Sequence, residues 1–556
     1  MERTDSTSTP DPRRWITLGI LLLTIVLIAL DTSVLNVSIP TMLRDLDTTV
    51  PALQWVITGY SLTFGSLLII GGRLGDIYGH RRLFIIGTSL FGIGSLVAAL
   101  STSVGMLIVG EAIIEGVGAA LMTPATLAIL SMTFTGKERG TAFAAWGAAA
   151  GAAVAFGPVL GGFLTTNYSW RWSFGINVII APIAAIGATL LIRPGPRIPR
   201  RPIDLPGAAL LSAALFLLVF ALSDGARYGW FEPLQSVRIA GVEVWPESAP
   251  VSITPLAIAA AAGLLWAFIS LERAKGERGG DPLFDLTLLR IRSFRYGVLT
   301  LLILAMGQLA LLFALPLFLQ DAVHLSAQEN GLWLLPLGIF VIIGAQIGGR
   351  LTRVLAIGRI ITIGLVIETI SLCLVIWAVQ PDITFWHILP GLAGFGVGLG
   401  FASSQLTSVV LSEVQEARSG VAGGTSSTAR QIGGAFGAAI VGSLITVQFT
   451  NRAAAALERA GLDAALRDRT IDTVRDLGPG ARPGAGLSNA DTATIERIFT
   501  DALAFGARSA LIFAVCVVAA GAALSLLIPR AHPVRASPAE DLIDAVGPVD
   551  IDAASI

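Results

Sequence analysis

The chain has 556 residues, 54% of them hydrophobic and only 13% charged, with a mean hydropathy of +0.76 and a formal net charge of −1. Soluble domains carry about 25% charged residues, so composition excludes a soluble globular protein and leaves an all-α polytopic membrane protein. The balanced charge names no partner, and no nucleic acid is expected. Cys373 and Cys516 both fall in apolar runs, which excludes a disulfide framework. The four histidines show no metal-ligand or catalytic spacing, and no Gly-rich phosphate loop followed by Lys-Ser/Thr occurs, so neither a metal, a cofactor nor ATP is expected.

Residues 1–14 form a polar tail ending in Arg13-Arg14, and the first apolar run follows with no cleavage-site pattern, so it reads as a retained helix. A membrane helix needs about 20 apolar residues. Runs and breakers give spans at 15–40, 52–72, 82–101, 105–132, 139–165, 172–193, 204–223, 252–272, 295–320, 330–351, 359–379, 385–411, 418–448 and 507–529, fourteen in all. Basic residues alternate from one connection to the next. Arg73, Arg81 and Arg82, then Lys137 and Arg139, then Arg193 to Arg201, Arg273 to Arg292, and Arg353 with Arg359 share a side with Arg13-Arg14. The positive-inside rule makes that side, and both termini, cytoplasmic.

Between the seventh and eighth spans, Val237-Arg238-Ile239 and Val242-Glu243-Val244-Trp245 flank Ala240-Gly241 and predict a small external hairpin. Residues 450–505 form a long external loop, whose first half, Arg452 to Leu477, reads as helix and whose second half reads as loop. Gly71-Gly72-Arg73-Leu74 leaves the second span and Gly348-Gly349-Arg350-Leu351 leaves the tenth. This echo predicts two equivalent six-helix bundles, 15–193 and 295–529, with an inserted helix pair at 204–272 and a cytoplasmic tail at 530–556. Transporters built from such repeats bind their cargo between the halves.

Three carboxylates interrupt the apolar helices: Asp31 in the first span, and Glu111 and Glu115 one turn apart in the fourth. Each costs roughly 2.5–3.5 kcal/mol on insertion scales, and acids at such depth mark a proton, ion or substrate path. At i and i+4 the two glutamates share a helix face and resist ionising together, so one of them holding a proton near neutral pH is the functional reading. The bland alternatives are an Asp31 bonded to a neighbouring helix and a glutamate paired with an arginine. Gln308, Glu368 and Arg430 are further intramembrane polar residues; Glu368 sits in a peripheral helix of the duplicated plan, and Arg430 reads either as an offset to the buried acids or, the preferred reading, as an anchor near the cytoplasmic end.

Gly72-Arg73-Leu74-Gly75-Asp76-Ile77-Tyr78-Gly79-His80-Arg81-Arg82 resembles the loop signature of the major facilitator superfamily. Leu30-Asp31-Thr32-Ser33-Val34-Leu35-Asn36-Val37-Ser38-Ile39-Pro40 is similar to the first-helix signature of its fourteen-helix drug–proton antiporter branch. Gly157-Pro158-Val159-Leu160-Gly161-Gly162 resembles the antiporter signature of exporters. The stretches around Ser169–Val178 and Ser419–Gly434 also look like that branch. The resemblance covers about 15–530, leaving out the hairpin and the 450–505 loop. It implies a proton-coupled antiporter of the bacterial cytoplasmic membrane that exports hydrophobic or cationic small molecules as a monomer. Asp31, Glu111 and Glu115 would couple protons and substrate, Gly72, Arg73, Gly75, Asp76, Gly79, Arg81 and Arg82 would gate the cytoplasmic face, and Gly157, Pro158, Gly161 and Gly162 would form a pliable packing helix. One departure matters: Ala112 stands where the family's fourth helix carries arginine, and Glu115 where it carries glutamine. Export of an endogenous lipid or metabolite is the alternative reading, and a membrane-embedded enzyme a remote one.

Overall fold

The computed structural model describes residues 12–134, 136–193, 204–239, 242–278, 286–352, 354–380, 382–414, 419–484 and 487–529. Fourteen long helical rods run through them. They are α1 (Arg14–Asp45), α2 (Val50–Tyr78), α3 (His80–Ala99), α4 (104–133), α5 (Gly136–Asn167), α6 (Trp172–Leu191), α7 (Leu205–Tyr228), α8 (Ile253–Glu277), α9 (Arg292–Asp321), α10 (Ala327–Leu351), α11 (Ile357–Ala378), α12 (Phe385–Leu411), α13 (Ser419–Leu457) and, after the short α14 (Ala464–Leu477), α15 (Asn489–Ser525). Twelve of the rods are long and apolar enough over the described residues to cross a membrane, which makes the chain a multi-pass membrane protein. The other two, α2 and α5, lie where the two halves of the molecule meet.

Packing repeats itself. In the first half α1 packs on α5 and α6, α3 on α6 and α4, and α2 on α4; in the second, α9 packs on α13 and α15, α11 on α15 and α12, and α10 on α12. The same five pairings, shifted by eight or nine helices, make two equivalent bundles. The halves meet along α5 against α10 and α2 against α13, pairings that exchange under the same symmetry.

Close approach requires small residues, since membrane helices pack through van der Waals contact. A Cβ on Gly331 of α10 would lie 2.1 Å from the Pro158 carbonyl oxygen of α5, and one on Gly162 would lie 2.2 Å from the Ala327 oxygen. Nearby, Asn167 Nδ2 donates to Gln328 Oε1 at 3.1 Å. On the other seam Gln54 Nε2 donates to the Ala438 oxygen at 2.7 Å, and Thr428 Oγ1 to the Gly65 oxygen at 3.1 Å. Most of these ties lie toward the end of the bundle opposite Arg14 and Ser525, hereafter the loop face; the end carrying Arg14 and Ser525 is the termini face.

The pair α7–α8 docks on the outside of the α2–α13 seam, where Trp55 Nε1 donates to Asp224 Oδ2 at 2.7 Å. At its termini-face end Asp204 caps α7, accepting from the Gly207 amide at 2.8 Å, and pairs with Lys275. Burial pushes the Asp204 carboxyl up, but its hydrogen bonds with Glu272, Lys275 and the Gly207 amide outweigh that and hold it below the ordinary carboxylate value.

The predicted hairpin forms, as β1 (Val237–Ile239) against β2 (Val242–Trp245), antiparallel with Ile239 opposite Val242; its Ala240-Gly241 turn lies outside the described residues. The helix expected from Arg452 to Leu477 is two helices instead. α13 continues to Leu457, the chain turns through Gly461 at φ +68°, and α14 restarts where Asp463 Oδ2 accepts from the Ala465 amide at 3.1 Å. A left-handed glycine and an Asp N-cap both break a helix at that point. The loop then returns: Arg482 donates to Asp321 Oδ1 at 2.6 Å, and a Cβ on Gly480 would stand 3.4 Å from the Thr48 oxygen. Above the bundle Phe449 of α13 meets Phe499 of α15 edge-on, ring centroids 5.7 Å apart.

Candidate functional site

The three acids converge. One carboxylate oxygen each from Asp31, Glu111 and Glu115 lies within 4.8 Å of the others, and the residues are 2%, 1% and 0% exposed. Two helices supply them, α1 and α4, so the placement of α4 decides the geometry. Glycines pull it in from two sides. Against α3, a Cβ on Gly94 would sit 2.6 Å from both Glu115 Cγ and the Gly110 oxygen, and one on Gly118 would sit 2.7 Å from the Gly87 oxygen. Against α2, a Cβ on Gly71 would lie 2.0 Å from the Ala120 oxygen, and one on Gly116 would lie 2.8 Å from Thr63 Cβ.

The same seam bounds Ala112. A Cβ on Gly59 would stand 2.8 Å from the Ala112 Cβ, so the stem of an arginine at 112 would run straight into α2. A side chain longer than alanine at 112 would have to displace α2 at Gly59.

Within α4 the segment Ile108–Glu115 is π-helical, not α-helical as the i, i+4 spacing suggested. No residue pattern in that apolar run encodes the extra residue per turn. Such π segments occur frequently at functional sites, and this one begins and ends around the two glutamates.

Few partners balance the charge. Asn177 Nδ2 of α6 donates to Asp31 Oδ1 at 2.8 Å. Asp31 Oδ2, Glu111 Oε2 and both Glu115 oxygens are buried without a hydrogen-bond partner. Among the described residues no lysine, arginine or histidine pairs with any of the three. At an effective dielectric of 20, two carboxylates about 4 Å apart repel by about 4 kcal/mol, so three negative charges cannot persist together without protons or a cation. Tyr60 of α2 is buried in the same region. It is 4% exposed, its hydroxyl has no partner, and it stands within electrostatic reach of all three acids. Sequence reading missed Tyr60, one aromatic among Trp55 and Phe64 on the same helix; Asn177 lay inside a motif but carried no signal of contact with Asp31.

The antiporter-signature glycines lie next to this cluster. A Cβ on Gly157 would overlap Ser33 Oγ at 1.8 Å, and one on Gly161 would lie 2.8 Å from Val34 Cγ1. α5 therefore rides on α1 two and three residues beyond Asp31, while its Pro158 and Gly162 touch α10 of the other half. One helix links the acids to the seam.

The loop-signature residues divide differently from expectation. Only Gly79, at φ +95°, makes the turn, because α2 continues through Gly72 and Gly75 to Tyr78. The His80 ring folds back over Gly75. Arg81 Nε donates to the Ala188 oxygen at 3.4 Å, at the end of α6, and Arg82 is exposed. The side chains of Arg73 and Asp76 lie outside the described residues. The remaining polar candidates do not join the cluster. Gln308 and Arg430 are half-buried. Glu368 of α11 is 0% exposed with both oxygens unpartnered, pressed against Gly398 of α12.

Known proteins share this plan. The chain is 31% identical over 468 residues to a probable actinorhodin transporter of Streptomyces coelicolor, covering 83% of this chain and 77% of that one. It is 30% identical over 544 residues to a tetracenomycin C resistance and export protein of Streptomyces glaucescens, covering 95% and 94%. Its fold matches a bacterial homologue of the human lysosomal transporter Spinster in an inward-facing, unoccupied conformation, with TM-score 0.58, 15% identity, and coverage of 93% of this chain and 98% of that one. The profile of the Major Facilitator Superfamily matches residues 21–438. With two equivalent helix bundles meeting at paired seams, the chain belongs to the major facilitator superfamily.

Proposed function

We propose that this protein is a proton-coupled secondary antiporter that exports hydrophobic or cationic small molecules across a bacterial cytoplasmic membrane. The observation that carries the reading is the buried trio Asp31, Glu111 and Glu115, held beside the helix that joins the two halves. The relatives, a probable actinorhodin transporter and a tetracenomycin C resistance and export protein, support small-molecule export. Export of an endogenous metabolite would use the same site and differ only in cargo. No catalytic step is assigned to the chain.

In this cycle protons arriving from outside neutralise the trio and displace cargo, the neutral form resets, and loss of protons to the cytoplasm restores negative charge. Each elementary charge moved through 100 mV supplies about 2.3 kcal/mol. Gly72, Arg73, Gly75, Asp76, Gly79, Arg81 and Arg82 would lock the termini face when the cavity opens on the loop face. A single chain supplies both halves, so a monomer suffices.

Sealed vesicles with an imposed pH gradient and a panel of organic cations test the reading. Uphill movement of at least one compound, collapsing with a protonophore, is expected. Movement that ignores the pH gradient would remove proton coupling from the proposal. The topology has its own test: on a background with Cys373 and Cys516 replaced, cysteines at Glu2 and Asn489 should react with membrane-impermeant reagents from opposite sides. Labelling from one side would reject cytoplasmic termini with an external 450–505 loop.

A further inference from the structure

The tip of the 450–505 loop touches both halves of the molecule. It is anchored in the second, where Thr450 Oγ1 of α13 donates to the Val474 oxygen at 3.5 Å and a Cβ on Gly478 would stand 3.1 Å from Thr446 Cγ2. From there it reaches over to the first, where a Cβ on Gly480 would stand 3.4 Å from the Thr48 oxygen in the turn between α1 and α2. Val474 and Ala481 are fully buried, in one apolar cluster with Val50 and Leu53 of α2 and Leu315 and Phe318 of α9.

Arg482 holds the tip in place. Its Nη2 donates to Asp321 Oδ1 at 2.6 Å, and its Nη1 to the Pro479 and Ala481 oxygens at 3.3 and 3.0 Å. The arginine side chain is 43% exposed and the aspartate 2%, so loss of the arginine would leave a carboxylate unpaired in a dry place. Asp321 ends α9 where that helix meets the first half. The residue before it, Gln320, donates to the Val37 oxygen of α1 at 2.8 Å, and Arg44 of α1 stands within electrostatic reach of Asp321 itself. The last turn of α9 is thus tied across to the first half and outward to the loop.

Parting α9 from α1 and α2 would break the Gln320 bond, the Thr48 contact and part of the shared cluster. A contact made in only one of two states shifts the balance toward that state by its own free energy. We propose that Pro479–Arg482 is a latch. Seated over α9 and the α1–α2 turn, and pinned by Arg482 on Asp321, it favours the closed loop face and unseats before that face opens. The proposal rests on the reading that the halves alternate between closures at opposite faces. Nothing along the chain announced the latch, since Arg482 and Asp321 stand 161 positions apart.

A cysteine pair at Asn167 and Gln328, hydrogen-bonded at 3.1 Å across the α5–α10 seam, reads closure of the loop face. The full-length protein is used in vesicles, with Cys373 and Cys516 replaced and with neither cargo nor a pH gradient. Arg482→Gln should lower the cross-linking rate about two- to fivefold, the range of a part-exposed ion pair. Arg482→Lys, which keeps the charge, should recover most of that loss, and neither change removes a side chain from the apolar cluster. Asp321→Asn added to Arg482→Gln should cost little more than either alone. Unchanged cross-linking in Arg482→Gln, or losses that simply add in the double variant, would overturn the latch, reduce the pair to a local staple of the loop and leave the exporter reading standing. If Arg482→Gln moves the cross-link but the wild type carries no compound uphill in the vesicle assay, the latch holds and the exporter reading falls.

Discussion

Asp31→Asn is expected to abolish uphill efflux in vesicles while downhill exchange survives. The amide oxygen that replaces the carboxylate can still accept from Asn177 Nδ2, the 2.8 Å bond that ties α1 to α6, so the bundle should fold. What is lost is the charge that a proton or a cation must neutralise. Each charge no longer moved through 100 mV removes about 2.3 kcal/mol of driving force, roughly a fifty-fold drop in the concentration ratio the transporter can hold. The glutamates should behave alike, and substrate-induced proton release in detergent should vanish with Glu115→Gln. Wild-type uphill rates in the double variant Glu111→Gln/Glu115→Gln would make the α4 pair structural and leave coupling to Asp31 alone.

Gly331→Val should block transport by a different route. Its Cβ would lie 2.1 Å from the Pro158 oxygen, a backbone atom that cannot swing aside, so α5 and α10 cannot close at the loop face. Overpacking of this kind costs about 1–3 kcal/mol, a shift of about 5- to 150-fold in a two-state equilibrium. A cysteine pair at Asn167 and Gln328, whose side chains are hydrogen-bonded at 3.1 Å, reports the closure. Cross-linking should fall by that factor in Gly331→Val, together with the transport rate. Undiminished cross-linking would mean that the seam has slack the close packing does not suggest.

Much of the architecture was written locally. The hairpin could be read because Val237-Arg238-Ile239 and Val242 to Trp245 alternate around a two-residue turn, and the rods because apolar runs of bilayer length end at arginines, glycines and prolines. The three acids stood out because carboxylates in hydrocarbon are costly. Their meeting could not be read, since Asp31 and Glu111 are eighty positions apart and only the packing of α4 through Gly94, Gly110 and Gly116 brings them together. The π-helical turn around Glu111 and Glu115 has no sequence signature, and Tyr60 carries no charge to betray it. The alanine at 112 looked like a lost mechanism; the Gly59 contact adds that α2 approaches α4 too closely there for a longer side chain.

The length of α13 has a practical consequence. Its 39 residues make a rod of about 58 Å at 1.5 Å per residue, nearly twice the ~30 Å hydrocarbon layer, and α15 adds 37 residues beside it. The Phe449–Phe499 contact braces the two rods above the bundle. Small transporters offer cryo-microscopy almost no mass outside the detergent belt. This one raises a stiff mast with α14 folded back along it, Thr450 Oγ1 donating to the Val474 oxygen at 3.5 Å, so an antibody fragment or a small fused domain placed in the 458–463 turn would move rigidly with the second half and serve as an alignment marker for imaging each state of the cycle.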